Sequence, residues 1–537
     1  MLRALLLLLA CVAACASPRI FYSDLESGPN SGGENNAGAF VTIYGSGFGA
    51  MREMSSVTIG GGKAAAYPIW TDTKIAMQLG ATAKSGEIIV TTSAGASNAI
   101  PFTVRGGKIY FVAATGSDGA AGSAAAPWKS LSKARDAMKA GDITYAKDGV
   151  TQPNDDGNGW STSLLLSKGG KPGAPLALVA YPGATVTLGS KNVPSAIRAK
   201  EHWDEDPGNW VFAGLKLVGG SDAATVYGAD NWRFIANEMT CPEGDGQTGC
   251  FESSLASHIK FLGNNVHDAG KATATALYHG VYFSTDSNHV EVGWNIIANV
   301  HGCRGLQIHS SPLMGGGPGD PTGHNQYDLS IHDNLIHDTQ CDGIVLATVD
   351  PSKGKVELFN NVIYNAGQGP NNPEHSGNWA CIYASGDTNT GPQGGGTIEV
   401  YNNTLVNCGN FAKPPYDSSK GGVMNGGHNN NLHIRMRNNV LLQSSGSPYV
   451  GGPRIAGTNN LFYGNGAPPA GFMASINKDP GFANAAAKDF HLTGASPARK
   501  AGAEVPAAID KEGHMRGAGA DLGAYQFLQP LEAGAGK

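Results

Sequence analysis

Residues 331–343 read IHDNLIHDTQCDG, two histidines and three aspartates set around one asparagine. Such a stretch is either a metal-ligand set or one turn of a repeating unit, and aligning the chain on its asparagines decides between them. With Asn237, Asn264, Asn295, Asn334, Asn361, Asn403, Asn439 and Asn460 at one position, the flanks agree. Five residues earlier stand Ile259, Val290, Leu329, Val356, Ile398, Ile434 and Ile455, and three earlier stand Phe261, Val292, Ile331, Leu358, Val400 and Met436. Two residues later come Met239, Val266, Ile297, Ile336, Ile363, Leu405, Leu441 and Phe462. Residues two apart on a strand share a face, so these rows point inward and stack from unit to unit. A unit of this kind is a coil that buries its apolar face only against its neighbours.

An inward Asn at a bend has an amide able to bond backbone groups and the Asn of the next coil, forming a ladder. Asn334 is then a rung. Asp338 falls at a turn position filled elsewhere by Asp268, Asn299, Asn365 and Asn407. That reading disfavours metal ligation by His332, Asp333 and His337, although His332 is expected to face outward, within reach of a ligand. No HExxH or CxxC spacing supports zinc.

A second strand follows each bend, and HGVYFS, RGLQIHS, DGIVLAT, ACIYAS and GGVMNG align at Gly280, Gly305, Gly343, Ala380 and Gly422. Val281, Phe283, Leu306, Ile308, Ile344 and Leu346 then point inward. Outward go Tyr282, Ser284, Gln307, His309, Val345 and Ala347. With adjacent strands about 4.8 Å apart, Tyr282 neighbours Gln307 and Ser284 neighbours His309. The same register sets Cys303 and Cys341 one coil apart, which predicts a disulfide. Cys241 and Cys250 bracket a Gly-rich loop they can close, and Cys381 with Cys408 is a further candidate pair.

The composition agrees with an all-β chain. It has 537 residues, 77 of them Gly, with 15% charged and 8% aromatic residues and a formal charge of −6. Sustained helical periodicity is almost absent. Nothing basic is concentrated enough to track phosphates, which argues against nucleic acid as a partner.

The first residues, MLRALLLLLACVAACAS, read as a secretory signal over 1–16. VAAC resembles a bacterial lipobox and makes Cys15 a candidate for lipidation; ordinary cleavage after ACA is the alternative. Beyond residue 20 no apolar stretch is long enough to cross a bilayer as a helix, so contact with a membrane is expected only through such an anchor. The expected location is outside the cytoplasm, at the cell surface, on the outer membrane, or secreted.

Residues 17–105 form a distinct module of short alternating segments: AFVTIYGSGFG, SSVTIGG, EIIVTTSAGASN and IPFTV. At VTIYGSGFG and the later GASNAIPFTV this stretch resembles an IPT/TIG domain, which implies an immunoglobulin-like sandwich. Residues 108–142, KIYFVAATGSDGAAGSAAAPWKSLSKARDAMKAGD, place Ser130 as an N-cap, Gly141 as a C′ glycine, and Leu131, Ala134, Ala137 and Met138 on one apolar face. This order of strand, GSDG, PWKSL and AGD resembles the entry segment of right-handed parallel β-helix proteins of the pectin lyase-like superfamily. The resemblance implies a β-helix over 106–526 with an N-terminal capping helix. Residues 479–502 and 519–526 resemble the segment that closes many such proteins, and 527–537 read as a flexible tail.

In that superfamily the strand after the Asn bend belongs to the sheet whose outer face forms the polysaccharide cleft. The resemblance thereby gathers Lys271, His279, Tyr282, Arg304, His309 and Asp342 at a cleft, with Gln307, Ser284, Asp342 and Trp379 as substrate-binding candidates. One chemistry open to such a cluster is β-elimination of an acidic polysaccharide. It needs a cation against the uronate carboxylate (Arg304), a base for the acidified C–H (Lys271, His309 or His279) and an acid for the leaving oxygen (Tyr282). Singly, Lys271 and Arg304 are ordinary solvated cations and Tyr282 a surface aromatic; His309, outward at mid-sheet beside a long Gly-rich loop, has the least structural reason to be there.

Two rival readings remain at this level. Glycoside hydrolysis needs two carboxylates at a set separation; Asp286, Asp320, Asp342 and Asp350 lie near the face, but without the paired-aspartate motif of polygalacturonase-like hydrolases. A non-catalytic carbohydrate-binding protein or adhesin is the other, with rows such as Phe359 and Tyr401 capping the surface. The loops PNDDGNG (153–159) and EHWDEDPGN (201–209) either hold Ca²⁺ through oxygen ligands or are simple Asp/Asn/Gly turns.

Overall fold

The computed structural model describes residues 17–157, 161–199, 205–275, 277–310, 326–369, 379–385, 395–409, 420–426, 431–444, 446–517 and 519–529. Cys15 and the proposed signal lie outside these residues, as does most of the Gly-rich loop 310–326.

From Ile109 onward the chain winds through three parallel sheets of 13, 11 and 10 strands among the described residues. From Ile143 to Tyr463 the sheets are visited in rotation, so each strand pairs with the equivalent strand one coil later. In the first sheet Ile259 pairs with Val290, Val290 with Leu329, and Leu329 with Val356. In the second, Val266, Ile297, Ile336 and Ile363 stand in one row. These inward rows form a single continuous core with essentially no exposure.

The ladder runs through all eight asparagines. Each donates Nδ2 to Oδ1 of the next, at 2.9–3.1 Å. The same Oδ1 accepts the backbone N–H of the preceding Asn at 2.8–3.1 Å. The second Nδ2 hydrogen reaches back to a carbonyl of the preceding coil; Asn334, for instance, bonds Val292 O at 2.9 Å. All eight side chains are at most 1% exposed, so these bonds satisfy groups that water does not reach.

The bends have a backbone cause. The residue before each rung is left-handed: Ala236, Trp294, Asp333, Asn360, Asn402, Asn438 and Asn459 have φ between 52° and 57°, and Gly263 has 66°. Asp268, Asn299, Asp338, Asn365 and Asn407 share a second left-handed corner at φ 51–54°. Asn and Asp tolerate this region better than other non-glycine residues, which is why they recur there.

The two histidines of the opening stretch serve these corners. His337 bonds Asp338 (Nδ1 to Oδ2, 2.7 Å) and stacks on Tyr364 with ring centroids 4.7 Å apart. His332 does face outward, but it is buried and not open to a ligand. Its Nδ1 lies 2.8 Å from Asp333 Oδ2, its Nε2 lies 3.4 Å from Glu291, and its ring stacks on Phe359 at 4.9 Å. Burial favours the neutral imidazole, yet the bonds and charges of Asp333 and Glu291 outweigh it and lift His332 to about 9. Among the described residues no three His, Cys, Asp or Glu side chains are grouped to hold a metal. In the two acidic loops residues 158–159 and 201–204 lie outside the described residues; Asp156 accepts from Leu165 N at 3.1 Å and pairs with Arg135, and Asp206 accepts from Gly208 N at 3.2 Å.

Cys241 and Cys250, Cys303 and Cys341, and Cys381 and Cys408 are bonded, with Cα separations of 5.5, 4.6 and 5.3 Å. The capping helix α1 spans Leu131–Ala137, and Ser130 Oγ accepts from Lys133 N at 3.1 Å as its N-cap. It is shorter than its sequence suggests. Met138 is the C-cap, and Gly141 (φ 95°) belongs to the next turn.

The N-terminal module is an antiparallel sandwich in which Phe40–Ser46 pairs with Lys74–Leu79 and Ser56–Ile59 with Gly86–Thr92. It is docked, not freely appended. Phe40, Ile43 and Phe102 share one apolar cluster with Phe111, Ile143, Tyr145, Val179 and Val211 on the outer face of the first sheet. Tyr145 donates to Phe40 O at 2.7 Å, and Arg233 donates to Ser23 O at 2.7 Å and pairs with Glu26. At the other end, the closing segment runs back along the second sheet, packing Phe490, Leu492, Leu522 and Ala524 on Val362, Val406, Val440 and Leu461. It reaches the first module, where Ser46 Oγ donates to Glu512 O at 2.8 Å.

Replacing Asn334 by Leu strands the amide of Asn295 and the carbonyl of Val292, and is expected to cost about 3 kcal/mol or more in urea unfolding, against about 1 kcal/mol for Asn365→Ala at a corner. The pH dependence has a definite sign at His332. A folded-state value above the unfolded 6.5 gives stability that is complete below pH 6.5 and fades as pH rises through about 9. His332→Phe is expected to flatten that limb of the Tm against pH curve.

Candidate active site

Among the described residues, the two flanking segments cover the outer faces of the first and second sheets and not that of the third, where Val345, Tyr383 and Met424 are buried in a small cluster of their own. The sandwich packs on the first sheet and the closing segment on the second, and neither apolar cluster includes the outward row of the third sheet. That row is fixed by pairing, coil by coil: Leu165, Arg198, Thr225, Glu252, Tyr282, Gln307, Val345, Tyr383, Met424. Inward neighbours such as Val281, Leu306 and Ile344 hold the strands against the core.

Tyr282 and His309 meet on this row, phenol oxygen to Nδ1, at 3.2 Å. Burial raises the Tyr282 phenol above its ordinary value; bonds with Ser284 and Gln307 oppose that, and the charge of Glu252 adds to it. Gln307 pairs across from Tyr282 as its sequence register predicts. Beneath them lies Arg304, its side chain 14% exposed, with Nε 3.7 Å from the fully buried Asp342. Burial pushes Asp342 up to about 7 despite the guanidinium and a 2.8 Å bond from Ala380 N. Around neutral pH the carboxylate therefore only partly offsets the Arg304 cation.

Four expected site residues are placed differently. His279 is 2% exposed and sits edge-on to Tyr282 with centroids 5.2 Å apart; burial, with Arg304 and His309 nearby, holds it well below its usual value and keeps it neutral. Asp342 supports Arg304 from below and has no exposed side-chain surface. Trp379 is 1% exposed and packs on Cys303 and Cys341, so its ring offers no platform to a sugar. Lys271 pairs with Asp245 at 2.7 Å, inside the loop closed by Cys241 and Cys250.

Of the carboxylates singled out from sequence, Asp342 does lie at this face, buried beneath Arg304. Asp286 and Asp350 are buried, and Asp320 lies outside the described residues. Asp222 and Glu252 take the place. Thr248 Oγ1 is 2.8 Å from Asp222 Oδ1 and 2.5 Å from Glu252 Oε2, and Ser195 Oγ is 3.2 Å from Asp222 Oδ2. One hydroxyl has one hydrogen, so it cannot donate to both carboxylates. The arrangement is satisfied when a protonated Glu252 donates to Thr248, which donates to an ionised Asp222. Burial lifts Glu252 to about 7, the Thr248 bond and Arg198 opposing it and the Asp222 charge adding to it. The sequence carried a signal for this pair: extending the strand alignment from HGVYFS one coil back to GCFESS sets Glu252 opposite Tyr282.

The model for the IPT/TIG domain matches residues 27–104. No curated protein sequence matches the chain. Among solved structures, the crystal structure of pectate lyase Pel9A is similar over 78% of this chain and 96% of its own, with a TM-score of 0.53 and 17% identity. A family 28 exopolygalacturonase of Yersinia enterocolitica covers 86% of this chain and 99% of its own at 11% identity and a TM-score of 0.46. At such identities the likeness is one of fold. Residues 27–104 thus match an IPT/TIG domain, and the chain from Ile109 onward has a parallel β-helix fold similar to that of pectate lyase Pel9A.

Proposed function

We propose that the protein is an exported polysaccharide-active enzyme that cleaves an acidic glycan by β-elimination on the outer face of the third sheet. The hydrogen-bonded pair Tyr282–His309, on the sheet that neither flanking segment covers, carries this reading. The uronate carboxylate is drawn toward the Arg304 cation, which acidifies the C–H beside it. The His309 imidazole takes that proton, the C–O bond to the leaving sugar breaks as the C=C bond forms, and the Tyr282 phenol protonates the departing oxygen. His279, neutral and buried, and Asp342 are positioning residues for Tyr282 and Arg304. Three disulfides suit an oxidising compartment, which supports export.

A second reading, glycoside hydrolysis, is favoured by one observation: Glu252, lifted by burial to about 7, shares the Thr248 hydroxyl with Asp222, which burial also raises, a pairing of carboxyls that suits a general acid and its partner.

The two separate on the product. Under β-elimination, His309→Ala and Tyr282→Phe are expected to lower kcat by about 10²-fold or more with folding intact, and the wild type releases an unsaturated sugar seen by ultraviolet absorbance. Reducing ends without that absorbance, lost in Glu252→Gln and falling away as pH rises through about 7, select the hydrolase. Binding without any product selects an adhesin.

A further inference from the structure

Away from the row of Tyr282 and His309, a cleft of about 680 Å³ lies between the docked sandwich and the outer face of the first sheet. A cavity of that size at a junction of two modules is a common setting for a ligand. Strand pairing sets its floor, with Val211, Arg233, Lys260 and Glu291 on successive coils. Along one side runs the corner that starts each of these strands, where Asn231, His258, His289 and Asp328 are left-handed, with φ of 51–62°. Leu25 of the sandwich, Pro172 and Pro175 add an apolar lining. Polar groups therefore recur at steps of about 4.8 Å over a length of about 14 Å, beside an apolar surface.

The charges on this floor are already matched. Arg233 pairs with Glu26 of the sandwich, and Lys260 lies 3.2 Å from Glu26 and 3.6 Å from Glu291. His289 Nε2 lies 3.1 Å from Asp328, and its ring stacks on His258 at 4.5 Å. Arg233 is 9% exposed and donates to Ser23 O, yet its Nε has no partner among the described residues. Ion pairs closed on themselves attract little net charge, but their oxygens and hydrogens still serve hydroxyl groups, which donate to carboxylates and accept from cations. Glu26, Glu291 and Asp328 line the cleft against Arg233 and Lys260, so a polyuronate or a phosphate meets an excess of like charge. A peptide strand would need a free sheet edge, and the floor strands are paired on both sides. We infer that this cleft binds a short run of an uncharged glycan, its C–H faces against Leu25, Pro172 and Pro175 and its hydroxyls along Arg233, Lys260 and Glu291. The site is separate from the proposed cleavage face, and the inference goes beyond β-elimination without resting on it.

The test is affinity electrophoresis of the full chain in native gels, each holding one polymer. Galactomannan, xyloglucan, arabinoxylan and mixed-linkage β-glucan serve as uncharged glycans, polygalacturonate and alginate as anionic ones, and gelatin as a peptide. At least one uncharged glycan is expected to retard the chain, with a Kd that rises about tenfold or more in Lys260→Ala. Thr103→Trp, at an exposed position on the sandwich side of the cleft, is expected to fill it and abolish the retardation. His309→Ala is expected to leave it unchanged. The Tm of each variant shows whether the sandwich is still docked; should Thr103→Trp melt early, Lys260→Ala, at a half-exposed side chain, decides alone. No retardation by any uncharged glycan, or a Kd unmoved in Lys260→Ala, overturns the inference. So does retardation lost in His309→Ala, which puts the sugar on the third sheet, or retardation by polygalacturonate, alginate or gelatin that Lys260→Ala weakens equally. Each of these leaves β-elimination standing, because that reading is decided by unsaturated product from acidic polymers.

Discussion

One amide per coil holds the register of this molecule. A carboxamide has an acceptor able to take two bonds and two hydrogens to give, and a rung of the ladder uses all of them between the coil before and the coil after. Every inward row then falls at the same height, and the outward rows follow because side chains alternate. The position of Tyr282 above Glu252 and below Gln307 is a consequence of where Asn264, Asn295 and Asn334 are stacked. The apolar core supplies most of the driving force, but apolar contact is non-directional and would tolerate a slip that the amides forbid.

The coil repeat was readable because it is written locally, in the spacing of Asn from Ile, Val and Leu and in the Asn/Asp corners. The Cys303–Cys341 disulfide followed from the same register, since equivalent positions on adjacent coils are close, and Cys241–Cys250 from the loop that the two bracket. What could not be read was which outward faces would be covered. Trp379, Asp342 and His279 sit where alternation or loop position suggests exposure, and each is sealed by neighbours that no periodicity announces. His332 is a similar case: its outward direction was right, while the enclosure by Glu291, Trp294 and Phe359 comes from adjacent coils.

The site shows the same division between register and environment. Tyr282, Gln307 and His309 could be placed together by counting from aligned glycines. The carboxyl pair was equally countable, yet its chemistry depends on a shared hydroxyl from the Cys241–Cys250 loop, which lies outside the strand pattern. Desolvation sets the proton positions, raising Asp342 and Glu252 and depressing His279, and desolvation is a property of the assembled solenoid.

Open solenoids fray from their ends, because a terminal coil has a neighbour on one side only. Here the closing segment turns back along the flank until Glu512 meets Ser46 of the first module, and that module is itself fused to the earliest coils through a common apolar cluster. The two ends of the stack are thus strapped to one another down its side. Loss of the first coil or the last would break contacts shared with the opposite end, which turns a chain of nearest-neighbour couplings into a closed loop and favours melting as one unit over unravelling coil by coil.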